Sequence, residues 1–95
     1  MGLLSMDEVK RKVHDLKGWE LSDNVIQKKY SFKSFKGSMA FVNKVAELAD
    51  SVDHHPDIII NYNRVILKLT THSQGGITDK DFNLAQMIDR ESSLI

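Results

Sequence analysis

The chain has 95 residues, 41% of them hydrophobic and 27% charged, with 13 basic residues against 13 acidic ones. This length predicts one domain, residues 1–95, with one core. The balanced charge offers no basic face to a nucleic-acid duplex, and no apolar run approaches the ~20 residues of a membrane span. With no cysteine there is no disulfide framework, thiolate nucleophile or Cys-based zinc site, and a reducing, cytoplasmic setting fits. The stretch Met1-Gly2-Leu3-Leu4-Ser5 lacks the basic and apolar segments of a secretory signal. Zero net charge leaves little repulsion against self-association.

The first predicted helix opens at Ser5-Met6-Asp7-Glu8, a capping box, and carries Met6, Val9, Val13 and Leu16 on one stripe. It runs to Lys17, with Gly18 as its stop. Trp19 and Leu21 then share a face of a short strand, and Asp23-Asn24 turns the chain. The second strand sets Ile26, Tyr30 and Phe32 on one face and Val25, Gln27, Lys29 and Ser31 on the other. A long helix follows from Phe35 to His54. Its two apolar stripes, Phe41-Val45-Leu48-Val52 and Met39-Val42-Ala46-Ala49, span a wider arc than one sheet contact requires. Either the helix is deeply seated or part of that arc meets another subunit. Pro56 ends it.

Two strands come next, Asp57 to Tyr62 and Arg64 to His72. In the second, Val65, Leu67, Leu69 and Thr71 take one face, and Ile66, Lys68, Thr70 and His72 the other. After the Ser73-Gln74-Gly75-Gly76 loop, Thr78-Asp79-Lys80-Asp81 opens a last helix bearing Phe82, Leu84, Ala85, Met87 and Ile88, with a tail that frays from Arg90 to Ile95. The order α-β-β-α-β-β-α predicts an α+β fold, a four-stranded antiparallel sheet with helices packed on one face.

One constellation carries chemistry. His54-His55-Pro56 and His72 lie near Asp53, Asp57 and Asp81 in sequence. If the hairpin turns tightly at Tyr62-Asn63, residue 72 comes level with residue 53, and the imidazoles converge. Imidazole is the side chain suited to give and take protons near neutrality, so a general acid and a general base could serve one small substrate. His14, amid charged residues of the first helix, reads as a surface residue. Adjacent histidines point apart, and no His-x-His or His-x-x-x-His spacing exists, so the pattern disfavours a metal. Asp81 also reads as the third residue of a capping box on Thr78.

The motifs Asp53-His54-His55-Pro56-Asp57, Tyr62-Asn63-Arg64-Val65, Leu69-Thr70-Thr71-His72 and Gly76-Ile77-Thr78-Asp79-Lys80-Asp81-Phe82-Asn83-Leu84-Ala85, with Gly18-Trp19-Glu20 before them, resemble the pterin-4a-carbinolamine dehydratase family over essentially the whole chain. Where some members carry an aromatic residue shortly after the His-His-Pro step, this chain has Ile58 and Ile59. The resemblance implies a hydro-lyase that removes water from 4a-hydroxytetrahydropterin to give quinonoid dihydropterin, in tetrahydrobiopterin recycling, with no metal or bound cofactor. It implies His54, His55, His72 and Asp81 as catalytic residues, with Pro56 beside them against the substrate. In that reading His54 and His72 form the acid–base pair, His55 orients the pterin, and Asp81 holds an imidazole or a pterin N–H. The resemblance also implies a homo-oligomer. It leaves two alternatives: a non-catalytic, coactivator-like binding module, and a pterin enzyme of molybdopterin metabolism.

Overall fold

The computed structural model, which describes residues 2–92, has the expected α-β-β-α-β-β-α order with one added 3-10 turn. Helix α1 (Met6–His14) starts at a complete capping box: Ser5 Oγ accepts from the Glu8 N–H at 3.2 Å, and the Glu8 carboxylate accepts from the Ser5 N–H at 3.3 Å. The helix ends at His14, not at Lys17. The N–H groups of Asp15 and Leu16 reach back only three residues, to Lys12 and Val13, which tightens the last turn out of α geometry. Gly18 then reverses the chain at φ 87°, where an added Cβ would lie 2.9 Å from Lys28 Cε.

Trp19 is buried just ahead of strand β1 (Glu20–Ser22), not inside it. Asp23, at φ 55°, carries the turn into β2 (Val25–Ser31). Phe32 falls one residue beyond that strand, yet its ring still packs on Phe41, with centroids 5.1 Å apart.

Helix α2 (Phe35–Val52) is capped by Ser34, whose Oγ accepts from the Gly37 N–H at 3.2 Å. It stops two residues short of the expected His54, because Asp53 adopts the left-handed conformation. Its buried stripe is Ser38, Phe41, Val45 and Ala49, while Phe35 and Val52 stay exposed. The apolar arc is therefore wider than this chain covers.

Strands β3 (Asp57–Asn61) and β4 (Arg64–Leu69) are joined by a two-residue turn at Tyr62-Asn63, as expected. Tyr62 takes φ 53°, and its carbonyl accepts from Ser38 Oγ at 2.8 Å, which fixes the hairpin to α2. The antiparallel sheet has the order β1-β2-β4-β3, so β4 is central and β3 an edge. Val65, Leu67 and Leu69 point from β4 into the helix layer and are fully buried. Strand β4 ends at Leu69 instead of reaching His72. Thr71 leaves the ladder and bridges Gly76, with N–H to O distances of 2.8 and 3.3 Å, and His72–Gln74 curls into a 3-10 turn.

Helix α3 (Asp79–Ser92) passes through Arg90, where fraying was expected; the rest of that tail, residues 93–95, lies outside the described residues. Asp89 anchors α3 on the sheet: its carboxylate accepts from Trp19 Nε1 at 2.9 Å, Lys28 Nζ at 2.9 Å and the Tyr30 hydroxyl at 2.8 Å. Among the described residues no helix is long and apolar enough to cross a membrane.

Candidate active site

The site forms where three elements end together. At the C-terminus of α2 the Asp53 N–H bonds the Asp50 carbonyl at 3.3 Å, and the His54 N–H bonds the Ala49 carbonyl at 3.1 Å. These paired bonds form a Schellman closure, a motif that usually places glycine where this chain has Asp53. Asp tolerates the left-handed conformation better than most residues, but still at some cost. The closure turns His54 inward, and Pro56 holds the exit extended.

His54 is buried at 9% exposure, and its Nε2 lies 2.5 Å from Oδ1 of the fully buried Asp81. Asp81 Oδ2 accepts from the Thr78 N–H at 3.0 Å and from Thr71 Oγ1 at 2.9 Å. The helix-capping role and the contact with His54 are thus two uses of one carboxylate. Nδ1 of His54 has no hydrogen-bond partner among the described residues, and among them no buried side-chain nitrogen or oxygen lacks one, so this ring nitrogen is not sealed from solvent. His54 lines two openings, a cleft shared with His72 and a smaller one beside Val52, Asn83 and Leu84.

That cleft encloses about 390 Å³, and its lining includes Asp53, His54, His55, Thr70, Thr71, His72 and Lys80. His72 is exposed there at the start of the 3-10 turn. The β3–β4 register stops at Asp57↔Lys68, short of the level expected from hairpin arithmetic, yet His72 and the His54-His55 step still line one cleft. His55 reaches the same cleft, but its Nε2 sits 2.8 Å from Asp50 Oδ1 on the surface. With both side chains more than half exposed, that contact orients the ring and adds little stability. Pro56 does not line the cleft. His14 lies elsewhere, on exposed α1.

Thr71, Thr78 and Lys80 were not singled out as site residues by the sequence. Thr78 had a signal, its capping box; Thr71 had only its place before His72. Among the described residues no group of three or more His, Cys, Asp or Glu side chains converges as metal ligands would.

The sequence profile of the pterin 4 alpha carbinolamine dehydratase family matches residues 2–91. A protein of Sulfurisphaera tokodaii, provisionally named pterin-4-alpha-carbinolamine dehydratase, is 49% identical over 89 residues, covering 94% of this chain and 96% of its own. A protein of Sulfolobus acidocaldarius with the same provisional name is 46% identical over 87 residues, covering 92% of this chain and 96% of its own. Among solved structures, a transcriptional coactivator/pterin dehydratase from Brucella melitensis superposes with a TM-score of 0.87 at 32% identity, covering 92% of this chain and 95% of that one. With its fold and nearly its whole length in agreement, this chain belongs to the pterin 4 alpha carbinolamine dehydratase family.

Proposed function

We propose that the protein dehydrates 4a-hydroxytetrahydropterin to quinonoid dihydropterin by histidine acid–base catalysis, serving tetrahydrobiopterin recycling. The observation that carries this reading is the buried Asp81–His54 pair, whose histidine lines one cleft with the exposed His72. In the reaction the bond from C4a to its hydroxyl oxygen breaks, the adjacent ring nitrogen loses its proton, and a carbon–nitrogen double bond forms as water leaves. His54 Nδ1 takes the ring-nitrogen proton, and Asp81 holds the resulting imidazolium. His72 delivers the proton to the departing hydroxyl. His55, steadied by Asp50, orients the pterin, and Pro56 holds that segment extended from outside the cleft. Each positioned proton transfer contributes typically ~100- to 10,000-fold.

The test is the absorbance decay of freshly generated 4a-hydroxytetrahydropterin with wild type and with the His54→Ala/His72→Ala double variant. The proposal expects acceleration by wild type and a return to the buffer rate in the double variant. A wild type no faster than buffer would overturn it and favour the non-catalytic binding module, which has no chemical use for a buried His–Asp pair.

Self-association is part of the proposal. Phe35 and Val52 on α2 are exposed, and so are Ile59 and Ile60 on edge strand β3, so apolar surface remains that a second copy could cover. Sedimentation velocity should give a mass above that of the 10.8 kDa protomer; a monomer at micromolar concentration contradicts this part.

A further inference from the structure

We infer that Thr71 is a positioning residue: its hydroxyl, itself held by Thr78, keeps Asp81 an ionised acceptor, and so keeps the His54 proton on Nε2 and Nδ1 bare. The hydrogen-bond inventory forces the direction of each proton. An ionised carboxylate only accepts, so Thr71 Oγ1 donates its single proton to Asp81 Oδ2, 2.9 Å away. The 2.8 Å contact between Thr71 Oγ1 and Thr78 Oγ1 must then use the Thr78 proton. Thr78 Oγ1 remains free to accept, and it does so from the Lys80 N–H at 3.2 Å. The relay therefore runs one way, from Thr78 to Thr71 to Asp81.

Asp81 collects three donors: the Thr71 hydroxyl, the Thr78 N–H and the His54 Nε2–H. Donors to a carboxylate favour its charged form, and such charge-assisted bonds are roughly twice as strong as neutral ones. Thr71, Thr78 and Asp81 are each less than 5% exposed, and valine at position 71 would fill the place of the lost hydroxyl, so the missing donor is not simply replaced. When the pair gains a proton, the charge can remain as imidazolium with carboxylate, or vanish as neutral imidazole with carboxylic acid. The relay favours the first arrangement, and by spreading the carboxylate charge over three donors it lessens the pull on a second imidazole proton.

The other charged or titratable groups around His54 are Lys80 on α3, His72 on the 3-10 turn, and its chain neighbours Asp53 and His55. None of them touches Asp81 Oδ2, whose described partners are Thr71 and Thr78. Thr71 is thus the side chain through which this oxygen can be altered without touching His54 or Asp81.

The catalytic arm of the inference rests on the proposed dehydratase reading, whereas the protonation arm does not. Thr71→Val removes the hydroxyl with little change in volume, and Thr71→Ser keeps it. The His54 ring nitrogens are followed by nitrogen-15 NMR across pH, and kcat/KM is profiled against pH beside them. In Thr71→Val the His54 titration midpoint and the acid limb of kcat/KM should both move up, by at most about one pH unit, since Asp81 stays ionised on both sides of the titration and only part of the lost charge-assisted bond is felt. Thr71→Ser should restore both.

A purely packing role for Thr71 would lower stability or kcat and leave both midpoints in place, which would overturn the inference. So would a Thr71→Ser variant that shifts as far as Thr71→Val. If wild type shows no dehydration above the buffer rate, the dehydratase reading falls, and the NMR midpoints still decide the relay. If Thr71→Val does not fold, Thr78→Val breaks the relay one link farther out and should shift the His54 midpoint in the same direction by less; no shift overturns the inference.

Discussion

Replacing Asp89 with alanine removes the carboxylate that ties α3 to β2 and to the turn after α1. Three donors converge on it, Trp19 Nε1, Lys28 Nζ and the Tyr30 hydroxyl, all within 2.9 Å. They will not contribute equally. The Asp89 and Lys28 side chains keep 26% and 19% exposure, so water takes over the ammonium and that contact contributes at most ~1 kcal/mol. Trp19 and Tyr30 are buried at 4% and 8% exposure, so their N–H and O–H would be left unpaired away from water. Each unpaired donor costs about 1–3 kcal/mol, which gives a total near ~3–5 kcal/mol with the Lys28 contact included. A chain of this length is expected to be stable by about 5–14 kcal/mol in all, so the loss is a large fraction. Urea unfolding followed through the single tryptophan, Trp19 itself, measures it directly. At an m-value of about 1–1.5 kcal/mol/M the midpoint should fall by ~2–5 M. Asp89→Asn, which retains one acceptor, should fall between the two. Asp89 lies eight positions beyond Asp81, about 12 Å along the helix, so folded Asp89→Ala should keep its activity. A stability change below ~0.5 kcal/mol, the usual range of surface substitutions, would refute this account of the anchor.

Two further outcomes follow from backbone and burial. Burial pushes the Tyr30 hydroxyl above the ordinary tyrosine range, with the Asp89 hydrogen bond and charge adding to it. A folded-state value raised above the unfolded ~10 means that this contribution is complete below pH ~10 and fades as pH rises further, by at most ~1.4 kcal/mol per unit. Tyr30→Phe should flatten that alkaline slope in urea midpoints taken from pH 8 to 11.5, and an unchanged slope would count against it. At Asp53, held at φ 51°, glycine should raise stability by up to ~1 kcal/mol and valine should lower it by ~1–2 kcal/mol. Thermal unfolding at neutral pH reads both, and a destabilised Asp53→Gly would contradict the strain argument.

The parts of the fold that the sequence announced are those set by neighbours in the chain. Ser5 and Glu8 cap α1 with atoms three residues apart, and the Tyr62-Asn63 turn follows from two alternating strands placed back to back. The misplaced ends depend on distant partners or on an unusual residue. Gly18 closes over Lys28 from another strand, and α2 stops at an aspartate in a conformation that sequence rules assign to glycine. The overrun of β4 has a different cause. Thr71 does point inward, at 4% exposure, so alternation continues beyond Leu69 although the pairing does not. Alternation records where side chains point, and it is blind to the change of partner from β3 to Gly76. For the site, hairpin register sets β3 and β4 side by side as far as Asp57 and Lys68, and the 3-10 turn then sets His72 at the cleft with His54. Thr71 escaped notice because its hydroxyl acquires meaning only when the 3-10 turn and the first turn of α3 meet around Asp81.

That meeting point also explains why the acid–base groups lie at element ends. Side chains in the middle of α2 and β4 are consumed by the core, as Phe41, Val45 and Leu67 are, and have no route to solvent. The end of α2 presents carbonyls and the start of α3 presents N–H groups, so the two termini carry opposite partial charges. His54 stands at the first and Asp81 at the second, so the acid–base pair bridges two helix ends. The Thr78 N–H, a donor that the helix itself leaves unpaired, completes the Asp81 shell at 3.0 Å. A buried carboxylate suffers from lost hydration unless its acceptors are filled. Here the filling is done by a capping box that α3 needs in any case, so the groups that start the helix are the same ones that hold the His54–Asp81 pair in place.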